Sequence, residues 1–461
     1  MNSICLKLKK ENKMKVPRLH HLLLFVGITC YGQNVSLPKV PNTSSIGNYN
    51  NTINTNQRNY NQQTNYNNNQ TLINSQRSFS VYEQDRKRVE IEERRKKLVQ
   101  ESIIDYQRIN ILELPSYENT KKASPYKKAF EKLLKMNVDS FSIKKATFTV
   151  ENAFYEEKED YKKFNDIVKR SGSFLKEKMK ELNYPPNSNL AKNLILFQFF
   201  ADTLEIKSKD LKHLPLKYDF EDYKGQKNWN NMFVSKLLKT GKGQCHSMPL
   251  LYLILAEEIG AKAHLSLSPN HSYIKFQDDK KKWYNVELTN GMFTTDTYIL
   301  QSGYITSEAL QRGIYMQELS SRQLLSHTFD DLASGYIRKF GYDGFAKKII
   351  DKSLELYPEN INANIMLENY LTYQFEYVTN NKLGINPRNH QELQKISAFP
   401  QVVKLLNTVN NAQRKVDDLG YKPMPAKMYQ AWLASLKKHK QQQDNNELKK
   451  QFKLKIKTLK N

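Results

Sequence analysis

The chain has 461 residues, of which 39% are hydrophobic, and a formal net charge of +25. This length is too great for one hydrophobic core and indicates two or three compact units. The low hydrophobic fraction excludes a chain that is packed throughout, so we expect unstructured segments. The positive charge permits binding to an anionic envelope polymer. No motif for specific nucleic-acid binding accompanies it, and lysine-rich solvated helix faces explain most of it.

The first 32 residues have the pattern of a secretory signal peptide. A basic stretch precedes the apolar run Leu22–Ile28, and cleavage is expected between Gly32 and Gln33, with Met14 as an alternative start. The run is too short to remain as a membrane-spanning helix. We therefore expect an exported bacterial protein, periplasmic or secreted, without a transmembrane anchor after cleavage. A lipoprotein acylated at Cys30 is the less favoured alternative, because the three residues before it match such sites poorly.

The rest of the chain divides by composition into five segments. In the helical segment 311–436, the stretch from Gly341 to Pro358 resembles the second half of a tetratricopeptide repeat, although a generic helical hairpin fits about as well. The segments are a disordered Asn/Gln-rich stretch (33–80), a helical region (81–205), a mixed region with strands and one very apolar helix (206–310), a second helical region (311–436) and a basic tail (437–461).

The cysteine positions give a sharper bound. Cys5 and Cys30 fall in the signal segment, so the mature protein keeps only Cys245. A single thiol cannot form an internal disulfide, and in an oxidising compartment it is exposed to oxidation. Cys245 is therefore either buried and inert or retained because it reacts.

Cys245 is predicted to precede a buried helix. Residues 250–259 are apolar nearly all round, and Gly260 is a good C-terminal cap. Pro249 is tolerated only in the first turn, which places the start of the helix near residue 246 or 247. At this position the helix dipole favours the thiolate, which is the nucleophilic form.

Two predicted strands follow, His271–Phe276 and Trp283–Leu288, joined by the polar loop 277–281. Successive side chains alternate between the two faces of a strand. Glu287 therefore shares a face with His271, and lies opposite it, only if the loop has an odd number of residues. A thiolate, an imidazole and a carboxylate would supply a nucleophile, a proton carrier and a group that orients the imidazole.

Cys245, His271 and Glu287 are thus the candidate catalytic residues. The Gly-x-Cys sequence before the helix, the histidine that starts a strand and the segment Trp283 to Thr289 resemble the core of the transglutaminase-like superfamily. The resemblance covers residues 206–310 and implies an α+β, papain-like fold, flanked here by helical regions, and acyl transfer at a thiol. Members of this superfamily include peptide-crosslinking enzymes, proteases, amidases and inactive scaffolds.

Two positions depart from the family pattern. The family usually has Asp where this chain has Glu287, which changes the reach to His271 by one methylene group. Ser272 and Tyr273 follow the histidine, where many members have Ala-Trp. Asn285 lies on the same strand face as Glu287 and is the alternative partner of the imidazole.

Several supporting roles are also expected. The backbone N–H of Cys245 is the favoured oxyanion donor; Gln226 and Trp229 are alternatives, although Trp229 is more typical of a core residue. His246 is not favoured as the base, because neighbours on a turn point apart, and His264 reads as a surface residue of a strand. No cofactor and no metal are expected, since one mature cysteine and scattered histidines lack a zinc spacing.

The sequence thus favours an exported enzyme that hydrolyses or transfers acyl groups at amide bonds of peptides or proteins. One alternative is a non-catalytic scaffold whose C-terminal helices bind an envelope or secreted protein. Another is a structural protein held on anionic envelope polymers through its lysines. A buried sulfur would favour the scaffold, whereas an accessible sulfur beside the imidazole would favour the enzyme.

Overall fold

A computed structural model describes residues 68–108, 111–438, 448–453 and 455–456. The expected signal peptide (1–32), the alternative lipid site Cys30 and residues 33–67 lie outside the described residues. The described residues form two compact units. The first contains residues 114–373 and those from 407 onward, and the second contains residues up to 113 together with 374–406.

The second unit contains a long, charge-rich helix, α1 (Asn68–Arg108). Residues 68–80, which the composition placed in a disordered segment, are the first turns of this helix. Near its other end, the Gln374 side chain donates a hydrogen bond to the Leu112 carbonyl at 2.7 Å.

The first unit begins with four helices. The residues of α5 are apolar almost all round, and the Ser188 side chain starts this helix by accepting a hydrogen bond from the Ala191 N–H. The helix is consequently buried along its length. The four helices are α2 (Ser124–Leu134), α3 (Ile143–Phe154), α4 (Tyr161–Glu181) and α5 (Asn189–Ala201).

Short strands and two further helices follow. β1 and β2 pair antiparallel, and β3 and β4 pair parallel. In chain order these elements are β1 (Leu204–Ile206), β2 (Leu211–His213), β3 (Lys217–Tyr218), α6 (Val234–Thr240), β4 (Lys242–Gly243) and α7 (Ser247–Ile259).

Helix α7 has the predicted boundaries. It begins at Ser247, two residues after Cys245, and ends at Ile259, where it is capped by Gly260 with a left-handed φ of +69°. Gly243 is required for a different reason. A Cβ at this position would lie 2.9 Å from both Met248 Cγ and Ser247 Oγ, so only glycine lets the loop pack against the start of the helix.

A four-stranded antiparallel sheet packs against α7. Residues along β6 are buried on both faces, up to the last one. The loop between β6 and β7 has five residues, 278–282, and Lys275 pairs with Asn285. The mixed α+β class is therefore as the sequence predicted. The strands, in both chain and sheet order, are β5 (His264–Ser268), β6 (His271–Gln277), β7 (Trp283–Glu287) and β8 (Met292–Thr294).

The chain then returns to helices. α10 and α11 form a hairpin; its likeness to a tetratricopeptide repeat remains a prediction. The hairpin encloses a polar network in which the buried Asp330 accepts hydrogen bonds from Ser353 and Asn360. The helices are α8 (Asp296–Leu300), α9 (Ser307–Gln311), α10 (Ser321–Phe340), α11 (Gly344–Leu356), α12 (Ile361–Tyr377), α13 (His390–Leu393), α14 (Pro400–Asp418) and α15 (Ala426–Lys438).

Within the basic tail (437–461), the described residues from 448 onward are partly exposed and partly buried. Residues 448–453 and 455–456 are helical, and Phe452 is buried with its ring edge-on to Tyr284 and Phe293. Lys449 pairs with Asp202 at 2.9 Å. Lys449 therefore faces an acidic partner while the Phe452 side chain enters the core. Within the described ranges, no helix combines the length and apolarity needed to cross a bilayer.

Candidate active site

The three candidate catalytic residues lie together at the end of the sheet next to the start of α7. His271 Nε2 and Glu287 Oε2 are 2.6 Å apart, and both residues are buried. The five-residue loop meets the odd-number condition. The register places Tyr273, rather than His271, directly across from Glu287, so the contact is diagonal and not directly opposite.

The second nitrogen of the imidazole, Nδ1, is not bonded to Glu287. Among the described residues, His271 Nδ1 has no hydrogen-bond partner of ordinary geometry. The Cys245 side chain nevertheless interacts with the ring closely enough to contribute to its pKa. One nitrogen is therefore held by a carboxylate, and the other is buried without an ordinary hydrogen bond in a ring that interacts with the Cys245 side chain.

The charges in this cluster support each other. Burial lowers the pKa of His271, but Glu287, foremost, and Cys245 raise it to about 10. Burial raises the pKa of Glu287, but His271 and Thr289, whose N–H donates to Oε1 at 2.8 Å, hold it below its ordinary value. The protonated ring and the ionised carboxylate thus stabilise each other within this pair.

A hydrogen bond to the backbone also links Cys245 to the strand that carries His271. The Ser272 hydroxyl, next to His271 on β6, donates a short hydrogen bond to the Cys245 carbonyl. This bond fixes the loop before α7 against the strand that carries the imidazole. Cys245 and His271 are therefore held near each other by this hydrogen bond.

Two tyrosines that sequence reasoning missed contact the sulfur. The Tyr218 hydroxyl donates to Cys245 Sγ at 3.3 Å, and the Tyr429 hydroxyl lies 3.5 Å from Sγ. Burial, followed by the Cys245 charge, raises the pKa of both phenols well above the ordinary value. Both hydroxyls consequently keep their protons and can act as donors.

A third missed residue, Trp432, covers the imidazole. Its ring lies edge-on to His271 with centroids 4.7 Å apart, and it stacks on Tyr429 at 5.6 Å. Tyr429 and Trp432 are three residues apart and so share one face of α15. This spacing signals a buried helix face, but nothing in the sequence indicates that the face covers Cys245.

The alternative site residues take other roles. Asn285 donates to Asp296 at 2.8 Å instead of orienting His271. Gln226 is exposed, so it does not supply an oxyanion donor to the buried thiol. Trp229 is a buried core residue. His264 lies half-exposed at the start of the edge strand β5, and its Nδ1 donates to a backbone carbonyl at 3.2 Å.

His246, the neighbour of Cys245 in sequence, is anchored away from the thiol. Its Nδ1 donates to the Met232 carbonyl and its Nε2 to Asp331 Oδ1, both at 2.9 Å. Burial lowers the pKa of this ring, but Asp331 raises it to about 9. Beside it, burial raises the pKa of Glu151, whose carboxylate accepts two N–H groups at the start of α6, to about 7.

Within the described part of the chain, no group of three or more His, Cys, Asp or Glu residues is placed to hold a metal ion. No family model, no curated protein and no solved structure matches this chain. The arrangement around Cys245 must therefore be interpreted from its own chemistry.

Proposed function

We propose that this protein is an exported thiol-dependent enzyme that hydrolyses amide bonds of peptides or proteins, or transfers their acyl groups. The observation that carries the proposal is the 2.6 Å bond from His271 Nε2 to Glu287, which leaves Nδ1 for the sulfur of Cys245. A cysteine at a helix start followed by an antiparallel hairpin with the histidine and the acid also supports a papain-like, transglutaminase-like core.

The reaction proceeds in two halves. The Cys245 thiolate attacks the amide carbonyl carbon, and the tetrahedral intermediate collapses as His271 gives its proton to the departing amine. This leaves a thioester on the sulfur. Water or an amine then attacks the thioester while His271 takes the incoming proton, which releases a carboxylic acid or a new amide and restores the thiolate. Glu287 holds the ring in place throughout.

Tyr218 is suited to stabilise the oxygen of the intermediate. Its protonated hydroxyl is 3.3 Å from Sγ, and it belongs to β3, which pairs with the strand leading into Cys245. A donor held near the attacking atom acts on charge that develops in the transition state. It would work beside the backbone N–H of Cys245.

The test is capture of the acyl group. The chain from Gln33 onward is incubated with a peptide library and hydroxylamine, which converts a thioester to a hydroxamate. We expect hydroxamates whose formation requires Cys245, measured by mass spectrometry against Cys245→Ala. Absence of any Cys245-dependent product, also from the opened double variant described below, would contradict the proposal.

One observation favours a second candidate function, that of a non-catalytic scaffold. The Cys245 side chain is only 2% exposed, which fits a structural thiol. In this case the C-terminal helices would bind an envelope or secreted protein. Pull-down of such a partner would then be unaffected by Cys245→Ala.

A further inference from the structure

The candidate site is closed by the chain itself. In this closed arrangement a peptide carbonyl cannot reach Cys245, which is 2% exposed. We propose that α15 is an intramolecular plug seated in the substrate cleft, and that the cleft accepts an aromatic side chain of the acyl donor once α15 lifts away. This inference rests on the proposed function and adds to it a regulatory step and a substrate class.

Aromatic side chains of α15 contact Cys245 and His271 and hold the helix over the site. The Tyr429 hydroxyl reaches Cys245, and the Trp432 ring lies against His271. Tyr223 borders the Tyr429 ring with centroids 5.5 Å apart. One helix face therefore blocks both the nucleophile and the proton carrier.

Two hydrogen bonds to backbone carbonyls at the ends of α15 are long. Asn270 Nδ2 donates to the Met424 carbonyl and Asn290 Nδ2 to the Leu436 carbonyl, each at 3.4 Å, one near each end of the helix. Hydrogen bonds at this distance are weak. Aromatic and aliphatic packing thus supplies most of the seating, and packing of this kind can be replaced by a ligand that offers similar surface.

The segments on either side of α15 are fixed more firmly. Gly420 packs closely on α9, and its carbonyl accepts a hydrogen bond from Thr306 at 2.8 Å. Beyond α15, Phe452 is buried and Lys449 is paired. A helix tethered at both ends can lift from the cleft without leaving the protein.

The buried site that the Tyr429 ring occupies indicates the chemistry of the ligand group that would replace this ring. The ring occupies a buried site bordered by Tyr223 and Trp432, and its hydroxyl reaches the sulfur. Aromatic rings pack favourably at such sites, with geometry that aliphatic chains do not reproduce. A peptide with an aromatic residue beside the reacting carbonyl would place that ring where Tyr429 now lies.

The test uses the rate at which iodoacetamide alkylates Cys245, which reports access and needs no catalysis. In the double variant Tyr429→Ala with Trp432→Ala we expect alkylation at least about tenfold faster than in the natural chain, because the closed state loses its seating. Met428→Ala is the matched control, since Met428 lies on the exposed face of the same helix and is 48% exposed. Circular dichroism verifies that the variants are folded.

A second measurement needs no variant. In the natural chain at low urea, the rate of Cys245 alkylation should exceed the rate that global unfolding alone would allow. The rate should also depend only weakly on the urea concentration, because opening of α15 exposes little surface. Alkylation that follows global unfolding alone, or a folded double variant that reacts no faster than the control, would overturn the plug.

The proposed preference for an aromatic acyl donor is tested separately. N-acetyltyrosinamide should slow alkylation of the double variant more than N-acetylleucinamide does, and equal protection would refute the aromatic cleft. Faster alkylation without any hydroxamate would support the plug while contradicting the enzyme. The two proposals therefore fail separately.

Discussion

Two histidine–carboxylate pairs with buried histidines flank Cys245, one adjacent in space and one adjacent in sequence. His271 and Glu287 are 2.6 Å apart, and His246 and Asp331 are 2.9 Å apart. In both, burial lowers the pKa of the ring and the carboxylate raises it, to about 10 and about 9. By charge and distance alone the pairs are nearly equivalent.

The difference lies in the second ring nitrogen. In His246 it donates to the Met232 carbonyl, so both nitrogens serve to fix the start of α7. In His271 it has no hydrogen-bond partner of ordinary geometry among the described residues, and the ring interacts with the thiol. A histidine–acid pair therefore indicates proton transfer only when one nitrogen remains available for the reacting atom.

The largest expected effect separates the two histidines directly. In the double variant with the opened helix, His271→Asn should lower the rate of hydroxamate formation by about 10²–10⁴, because the proton carrier is lost. His246→Asn should lower the rate less than tenfold and instead reduce the free energy of unfolding by about 3 kcal/mol, since Asp331 loses its buried partner. Urea denaturation measures the second effect. Similar rate losses in the two variants would remove the distinction.

A second prediction concerns the two carboxylates. Glu287→Gln should move the NMR titration midpoint of His271 from about 10 to below 7, because burial, which lowers the pKa, is then no longer opposed by this charge. Asp331→Asn should likewise lower the midpoint of His246 from about 9. Only the first change should slow alkylation of Cys245 at pH 7 in the opened variant. A midpoint of His271 that stays near 10 would show that Glu287 does not govern it.

The smallest effect concerns Glu151, beside His246. Its folded-state pKa of about 7 exceeds the ordinary 4.5 because of burial, so the folded chain holds this proton more tightly than the unfolded chain. The resulting stabilisation is present below pH 4.5 and is lost as the pH rises to 7, by at most about 3 kcal/mol. Glu151→Gln should flatten this part of the stability curve, measured by urea denaturation at pH 4.5 and 7. An unchanged slope would assign the pH dependence to other groups.

The sequence was sufficient for those parts of the site that are close together along the chain. Pro249 and Gly260 set the ends of α7, and strand alternation reduced the pairing of Glu287 with His271 to one condition, an odd loop, which residues 278–282 meet. These features depend on local backbone geometry and on a short hairpin, which the order of residues determines.

The cover over the site was not predictable in this way. Tyr429 contacts Cys245 across 184 positions of the chain, and this contact depends on tertiary packing that no local pattern encodes. The lysine-rich composition of the tail (437–461) also gave no sign that Phe452 is buried, because the apolar residues of this segment are few and widely spaced among charged ones. The choice of Glu287 over Asn285 likewise required the Asp296 contact, which lies outside the hairpin.

The turn between β6 and β7 also limits how this protein can change over evolutionary time. Its five residues keep the acid on the same side as the imidazole, and adding or deleting one residue would turn β7 over. Descendants that preserve the chemistry should therefore vary this turn in steps of two. A one-residue insertion there would point the Glu287 side chain to the opposite face of the sheet and separate it from His271.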